Sequence, residues 1–173
     1  ISTLIQPASE TTIIDKNYTI YKAIREGLTY SFRKDGKDDF TTVKLIDFDN
    51  PSNNTFTAVN QMWIRGQYNW RRPDVLVFIN GMPLVFIELK NGNIPVRQAY
   101  TKNLKSYLTD VPNLFTMNQI CILSNGLETR LGAFNAGYEF LFEWLKNSEE
   151  AVIDRESTKA NALDTPHTAA SHH

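Results

Sequence analysis

Two apolar runs in the middle of the chain, Val75 to Ile79 and Leu84 to Leu89, are rich in β-branched and aromatic residues. The cluster Asn80-Gly81-Met82-Pro83 between them has turn chemistry, so Arg71 to Gly92 predicts a β-hairpin. Runs that are apolar on both faces belong in the middle of a covered sheet. Upstream, Tyr18, Tyr21, Ala23 and Ile24 fall near helical spacing, and Gly27 is a C-terminal stop, which predicts a helix over Asp15 to Glu26. Strands follow over Leu28 to Arg33, over Phe40 to Phe48 after the charged turn Lys34 to Asp39, and over Thr55 to Arg65 with Phe56, Ala58, Met62 and Ile64 facing inward. Downstream, Pro95 stands near the first position of a helix reaching about Leu108, whose stripe of Ala99 or Tyr100, Leu104, Tyr107 and Leu108 faces the core. Gln119 to Ser124 reads as a buried strand, Asn125-Gly126 as a turn and Glu128 to Ala133 as a short returning strand. Tyr138 to Leu145 has helical spacing that would pack Phe140, Leu141 and Trp144 on the sheet. The alternation of elements predicts an α/β fold, a mixed β-sheet of five or more strands flanked by helices.

Ile1 to Thr12 carries little periodic signal and reads as the stump of a longer N-terminal region, while beyond Asn147 the chain is polar and acidic. One domain over residues 1–147 and a tail or linker over 148–173 are therefore expected, the final His172-His173 reading as the remnant of an appended sequence. Hydrophobic residues make up 42% and aromatics 12% of 173 residues, a globular rather than a disordered composition. No apolar run approaches the roughly 20 residues of a membrane span and no signal peptide is visible, so a cytoplasmic protein without a membrane partner is expected. The single cysteine, Cys121, lies in an apolar run and reads as a buried, inert thiol. All three histidines, His167, His172 and His173, lie in the tail. That excludes a Ser-His-Asp or Cys-His triad and a histidine zinc site in the core. No phosphate-binding loop and no dinucleotide fingerprint is present, so this stretch does not hydrolyse ATP by itself.

What remains is a small group of charges in the apolar hairpin: Asp74 opens the first strand, and Glu88 and Lys90 close the second. With a strand period of two, Glu88 and Lys90 share a face, their Cα atoms about 6.7 Å apart. Asp74 joins them only in one register. A tight even loop pairing Ile79 with Leu84 turns it to the wrong face, whereas a three- or five-residue loop, or a bulge, sets it opposite Glu88. Pro83 has no N–H for the ladder, which favours the wider loop ending at Leu84. Two carboxylates at one sheet end repel each other, and a divalent cation with oxygen ligands neutralises them; Mg²⁺ suits such a site. The chemistry is that of a metal-dependent phosphodiesterase in which Lys90 stabilises the attacking hydroxide or the developing charge. The plainer alternative is an aspartate at a strand start and a Glu-Leu-Lys triplet on a solvated strand end. The net charge is −1, yet residues 61–110 hold an excess of four positive charges. Arg71, Arg72, Arg97, Lys102 and Lys105 in that stretch are candidates for DNA phosphate contacts.

Pro73-Asp74 and Glu88-Leu89-Lys90 resemble the two halves of the PD-(D/E)xK nuclease motif. More narrowly, LIDFDNP (Leu45 to Pro51), RRPDVLVFINGMPLVFIELKN (Arg71 to Asn91), LFTMNQICILSNGLETRLGAF (Leu114 to Phe134) and FEWL (Phe142 to Leu145) resemble the N-terminal nuclease domain of the type I restriction enzyme R subunit, in order and spacing. The resemblance implies a restriction-endonuclease-like fold and a Mg²⁺-dependent endonuclease that cuts double-stranded DNA without its own sequence readout. Its partners would be specificity and methylase subunits, with ATP serving a motor outside this chain. Asp74, Glu88 and the Leu89 backbone carbonyl would hold the metal, with Lys90 acting on the water. Glu26, at the end of an upstream helix, is a possible extra acid, with a surface glutamate as its alternative. The family's Gln-x-x-x-Tyr motif maps onto Asn103 and Tyr107, so the chain departs from it by one methylene and the reach of that amide becomes a question. Asp47 sits in a shared motif, but its place beside a turn suggests an Asx-type structural role. The alternative function is a nuclease-fold module that has lost catalysis and serves as an assembly surface for motor and methylase subunits.

Overall fold

A computed structural model describes residues 12–145; the expectations for the N-terminal stump and for the tail beyond Asn147 lie outside the described residues. The first compact unit, Ile1–Glu143, holds every element named below, and the second, Trp144–His173, contributes only two described residues. Helix α1, Ile13–Glu26, starts where Thr12 and Asp15 form a capping box: Asp15 N–H donates to the Thr12 hydroxyl at 3.2 Å and Thr12 N–H to the Asp15 carboxylate at 3.1 Å. It stops at Gly27, whose φ of +83° favours glycine. A side chain there would also press on Thr42 and the Val43 carbonyl. Ile20 and Ile24 on α1 pack with Ile46, Met82 and Leu84 in one apolar cluster.

Strands β1, Leu28–Lys34, and β2, Lys37–Val43, pair into an antiparallel ribbon of their own, turning at Asp35-Gly36, both with positive φ. The expected strand to Phe48 ends at Val43 because the next residues fold on Asp47: its carboxylate accepts from the N–H groups of Asp49 and Asn50, the anticipated Asx-type arrangement. The expected long strand Thr55 to Arg65 is broken in two. Strand β3, Phe56–Asn60, ends where Gln61 adopts φ +50° and donates its N–H to the Asp74 carbonyl at 2.9 Å, and β4, Ile64–Arg65, starts a small ribbon with β5, Trp70–Arg71. Phe56, Ala58 and Met62 are exposed rather than inward, since β3 is an edge strand with a single neighbour, while Ile64 is half-buried.

The main sheet adds β6, Val75–Ile79, β7, Met82–Leu89, β8, Ile120–Ser124, β9, Thr129–Gly132, and β10, Phe142–Glu143, in the order β10-β9-β8-β7-β6-β3. Among the described residues only β7 and β8 are parallel, which requires a crossover; the helix over residues 96–110, here α2, supplies it. That helix is wound as an α turn, Val96–Gln98, a π stretch, Ala99–Leu104, and an α end, Lys105–Asp110. Its buried residues Val96, Ala99, Leu104 and Tyr107 meet Phe86, Leu76, Leu123 and Phe115 in the larger core cluster. Phe86 and Phe115 are wholly buried, and cutting either back to alanine would cost about 3–5 kcal/mol.

Two expectations need correction. The central hairpin does not turn through a wide loop ending at Leu84: Ile79 pairs with Met82 across Asn80-Gly81, whose φ values of +50° and +79° fit the tight turn that Asn-Gly favours. The odd residue is instead accommodated by a bulge, because Phe78 pairs with Pro83 and Val77 with Val85, leaving Leu84 unmatched. Pro83 thus stands beside a break in the ladder, where its missing N–H costs least. At the other end, Tyr138 to Leu145 is not a helix. Tyr138–Phe140 forms one 3-10 turn and Phe142–Glu143 is β10, paired to the edge that β9 would otherwise leave open. Phe140 and Trp144 are exposed, and Leu141 is the residue of that segment that the core takes up.

Candidate active site

The bulge decides where the acids point. Beyond it Val75 pairs with Ile87, so Asp74, one step earlier, falls opposite Glu88. Both side chains share the face of Leu76 and Phe86, the face that α2 covers. The Asp74 carboxylate accepts the Leu89 N–H at 2.8 Å. Glu88 is only 3% exposed. Its Oε1 accepts from Lys90 Nζ at 2.9 Å and from Asn103 Nδ2 at 2.6 Å. Its Oε2 is buried and has no hydrogen-bond partner. Burial pushes the Glu88 carboxyl above its ordinary pKa; the hydrogen bond from Lys90 opposes this and the charge of Asp74 adds to it.

Asn103 and Tyr107 come from one face of α2. The shortened amide reaches Glu88, and Asn103 does so from within the π stretch, a winding found as single-turn insertions often at functional sites. Tyr107 stands edge-on to Phe86, ring centroids 5.1 Å apart, and its phenol is pushed well above the usual range by burial and by the charges of Glu88 and Asp74. The Arg71 guanidinium lies 5.9 Å from the Tyr107 ring centre and is paired with Asp110.

Asp74, Glu88, Lys90, Asn103 and Tyr107 are therefore brought together. Glu26 is not: it is exposed at the end of α1, which packs against Met82 and Leu84 at the opposite end of β7, and no group of three or more acids, cysteines or histidines with metal-site geometry exists among the described residues. Of the predicted phosphate contacts, Arg71 is tied to Asp110, Arg72 lies 5.1 Å from the Trp63 ring centre, Arg97 5.4 Å from that of Tyr138, and Lys105 5.3 Å from that of Tyr100; Lys102 is exposed. Sequence reasoning did not single out Asp110, which fixes Asn69 and Arg71 at the end of α2; Asp at a helix end before Pro112 reads as a stop, and only the fold shows what it holds. Burial and hydrogen bonding to Asn118 leave Cys121 inert, its thiol pushed up.

A divalent cation fits this donor set. Two carboxylates stand opposite each other, one has a buried oxygen without a donor, and among the described residues no sulfur or imidazole joins them, a set that suits a hard, oxygen-seeking ion. Such an ion would give Glu88 Oε2 the positive partner it lacks.

The sequence matches a family described as Type I restriction enzyme R protein N terminus over residues 1–140. It is 34% identical over 167 residues to the type I restriction enzyme HindI endonuclease subunit of Haemophilus influenzae, covering 92% of this chain. It is 34% identical over 129 residues, 72% of the chain, to the putative type I restriction enzyme MjaIXP endonuclease subunit of Methanocaldococcus jannaschii, and 28% identical over 120 residues, 65% of the chain, to the EcoprrI endonuclease subunit of Escherichia coli. The chain spans 15%, 12% and 38% of the length of these relatives, respectively.

Proposed function

From the premise that the chain belongs to the type I restriction enzyme R protein N-terminal family, we propose that it is the Mg²⁺-dependent endonuclease domain of such an enzyme. It hydrolyses phosphodiester bonds of double-stranded DNA without reading sequence, as one part of a complex with specificity and methylase subunits. The observation that carries the reading is the buried Glu88 Oε2, without a hydrogen-bond partner, on a residue that stands opposite Asp74 in the ladder. A domain with no use for that arrangement would gain stability by replacing Glu88 with an apolar residue, because an unsatisfied buried acceptor costs about 1–3 kcal/mol.

Asp74 and Glu88 hold the ion. Leu89 N–H points at Asp74, and in an extended strand a residue's N–H and C=O leave on the same edge, so the Leu89 carbonyl would be the third oxygen of the set. When bound, Mg²⁺ supplies a Lewis acid for the phosphate oxygen and acidifies a water. Asn103 fixes the Glu88 carboxylate through Oε1, leaving Oε2 for the ion. Lys90, paired with Glu88 in the resting site, offsets the two acids and stabilises the charge that develops on the attacking oxygen. Tyr107 keeps its proton throughout and closes the pocket against Phe86. Asn103 reaches Glu88 despite the missing methylene, which weighs against a decayed module.

The test is plasmid nicking by the reconstituted complex with ATP and Mg²⁺. Wild type should cleave, and Asp74→Ala and Glu88→Ala should translocate without cutting. Cleavage undiminished in both variants would refute the assignment.

A further inference from the structure

The segment between β3 and β6 carries more aromatic surface than folding requires. Trp63 is 59% exposed, Tyr68 85% and Trp70 57%. Two arginines lie on these rings, Arg72 at 5.1 Å from the Trp63 centre and Arg65 at 5.9 Å from that of Trp70, and neither forms a salt bridge among the described residues. The β4–β5 ribbon is nonetheless held in place. Gly66 N–H donates to the Asn69 carbonyl at 2.8 Å, Asn69 donates to Asp110 at 3.0 Å, Arg71 pairs with Asp110, and Gly66 packs so close to the Asp110 carbonyl that any side chain there would collide with it. Between the ribbon and the end of α2 lies a cleft of about 580 Å³ with mixed polar and apolar walls, lined by Arg65, Gln67, Tyr68, Thr109, Pro112 and Asn113 among others. That volume is within the ~300–1,000 Å³ of small-molecule sites.

The cleft and the acids are close along the chain. Asp110 is three residues past Tyr107, about 4.5 Å along the helix axis. Arg72 is two residues before Asp74, at most ~7 Å away even in a fully extended chain. Anchored aromatic faces, cations beside them and amides at a cleft are the equipment of a site that stacks unpaired bases while holding the backbone. Residues 61–110 carry four positive charges in excess, which favours a polyanionic strand over a protein partner.

We propose that the β4–β5 ribbon and its cleft form a subsite for single-stranded DNA, in which bases unpaired next to the scissile phosphate stack on Tyr68, Trp70 and Trp63 while Arg65 and Arg72 hold the strand. The proposal rests on the nuclease reading above and specifies the form of DNA that the same site takes. The ribbon is then what secures the strand to be cut once duplex has opened.

The 173-residue chain is titrated without metal against labelled short oligo(dT) and against a duplex of equal length, for wild type, the Tyr68→Ala/Trp70→Ala double variant and the Tyr68→Phe/Trp70→Phe double variant, with thermal melts of each. Wild type should bind the single strand more tightly than the duplex. The alanine variant should lose single-strand affinity by about tenfold or more, with duplex affinity within about twofold of wild type, and the phenylalanine variant should restore it. No measurable oligo(dT) binding by wild type, an unchanged affinity in the alanine variant, or equal loss for both DNA forms would overturn the proposal. It is equally overturned if the alanine variant binds oligo(dT) normally but fails to join the specificity and methylase subunits, which would make the ribbon a protein interface. The two readings fail separately. A complex that never cuts while its oligo(dT) binding depends on the ribbon refutes the nuclease alone, and a complex that cuts with ribbon-independent binding refutes the subsite alone.

Discussion

Replacing Glu88 by glutamine separates a metal pocket from a structural ion pair. The variant keeps the shape and an oxygen for Lys90 and Asn103, but removes the charge and turns the partnerless Oε2 into an N–H donor. The sign follows from the Glu88 carboxyl lying above its ordinary pKa: burial and Asp74 together outweigh Lys90, so the folded chain favours the neutral form. The raised pKa contributes stability fully present below the unfolded value, near 4.5, and lost as pH rises through the folded value. Relief of one unsatisfied buried acceptor sets the magnitude at about 1–3 kcal/mol. No discount for solvent is needed at 3% exposure. At about 2–4 °C per kcal/mol for a chain of this size, Glu88→Gln should melt several degrees above wild type at pH 7 without metal. The gap should shrink toward pH 4, where wild type protonates Glu88 by itself. Asp15, Asp47 and Asp110, held low by hydrogen bonds from Thr12, Asn53 and Asn69, have the opposite pH sense and cancel in the difference. Mg²⁺ should then raise wild type and move the variant little. Thermal melts of both proteins across pH 4–8 with and without Mg²⁺ make the measurement. A variant that melts below wild type at pH 7, or a gap that does not shrink on acidification, would show that Glu88 and Lys90 are a stabilising pair and that the metal reasoning is wrong.

Lys90→Ala should have the opposite effect on stability, lowering the metal-free melt by roughly 1–3 kcal/mol because Glu88 keeps its charge and loses a cation, while Mg²⁺ still raises the melt and nicking is lost; metal-dependent stabilisation abolished as fully as in Glu88→Ala would overturn the division of roles. Asp74→Ala, which removes a like charge, should melt at or above wild type without metal and gain nothing from Mg²⁺, and a clear loss of metal-free stability would count against repulsion at the pair. Asn103→Ala should reduce nicking while leaving the fold intact, and Asn103→Asp, adding a third carboxylate, should lower the metal-free melt and steepen its rise with Mg²⁺; equal melts for the two variants would deny Asn103 its contact with Glu88. The 173 residues by themselves should cut duplex DNA weakly or not at all, since their net charge is −1 and they hold no phosphate-binding loop; robust sequence-specific cutting without ATP would contradict that.

What the sequence displayed well was whatever depends on local pattern. The central apolar runs, the helix stopping at Gly27, the buried strand around Cys121 and the Asx turn at Asp47 all follow from period, breaker chemistry or a short side chain beside its own backbone. What it hid depends on who the neighbour is. Phe56 and Ala58 have the composition of inward residues, yet they belong to a strand whose position at the sheet edge is set by the whole topology. Phe140 and Trp144 have helical spacing, but eight residues beside an open sheet edge gain more by pairing with β9 than by coiling. The same limit applied to the site: one methylene fewer at position 103 could be judged only with the π stretch in view, because a turn with an extra residue re-aims every side chain after it.

The dependence of the site on a residue with no chemistry follows from the same register. Asn80-Gly81 closes the tightest hairpin the chain allows, and continued without a break that turn would set Asp74 opposite Ile87 instead of Glu88, with its carboxylate on the face away from α2. Leu84, unmatched in the bulge, restores the phase, and it does so while filling the cluster beneath α1 with Ile20, Ile24 and Met82. The packing of α1 therefore holds the bulge, and the bulge holds the carboxylates together, at the opposite end of β7. A substitution at Leu84 that shrinks it to alanine would cost stability through the cavity it leaves, about 2–5 kcal/mol, and would loosen the register on which the acids depend.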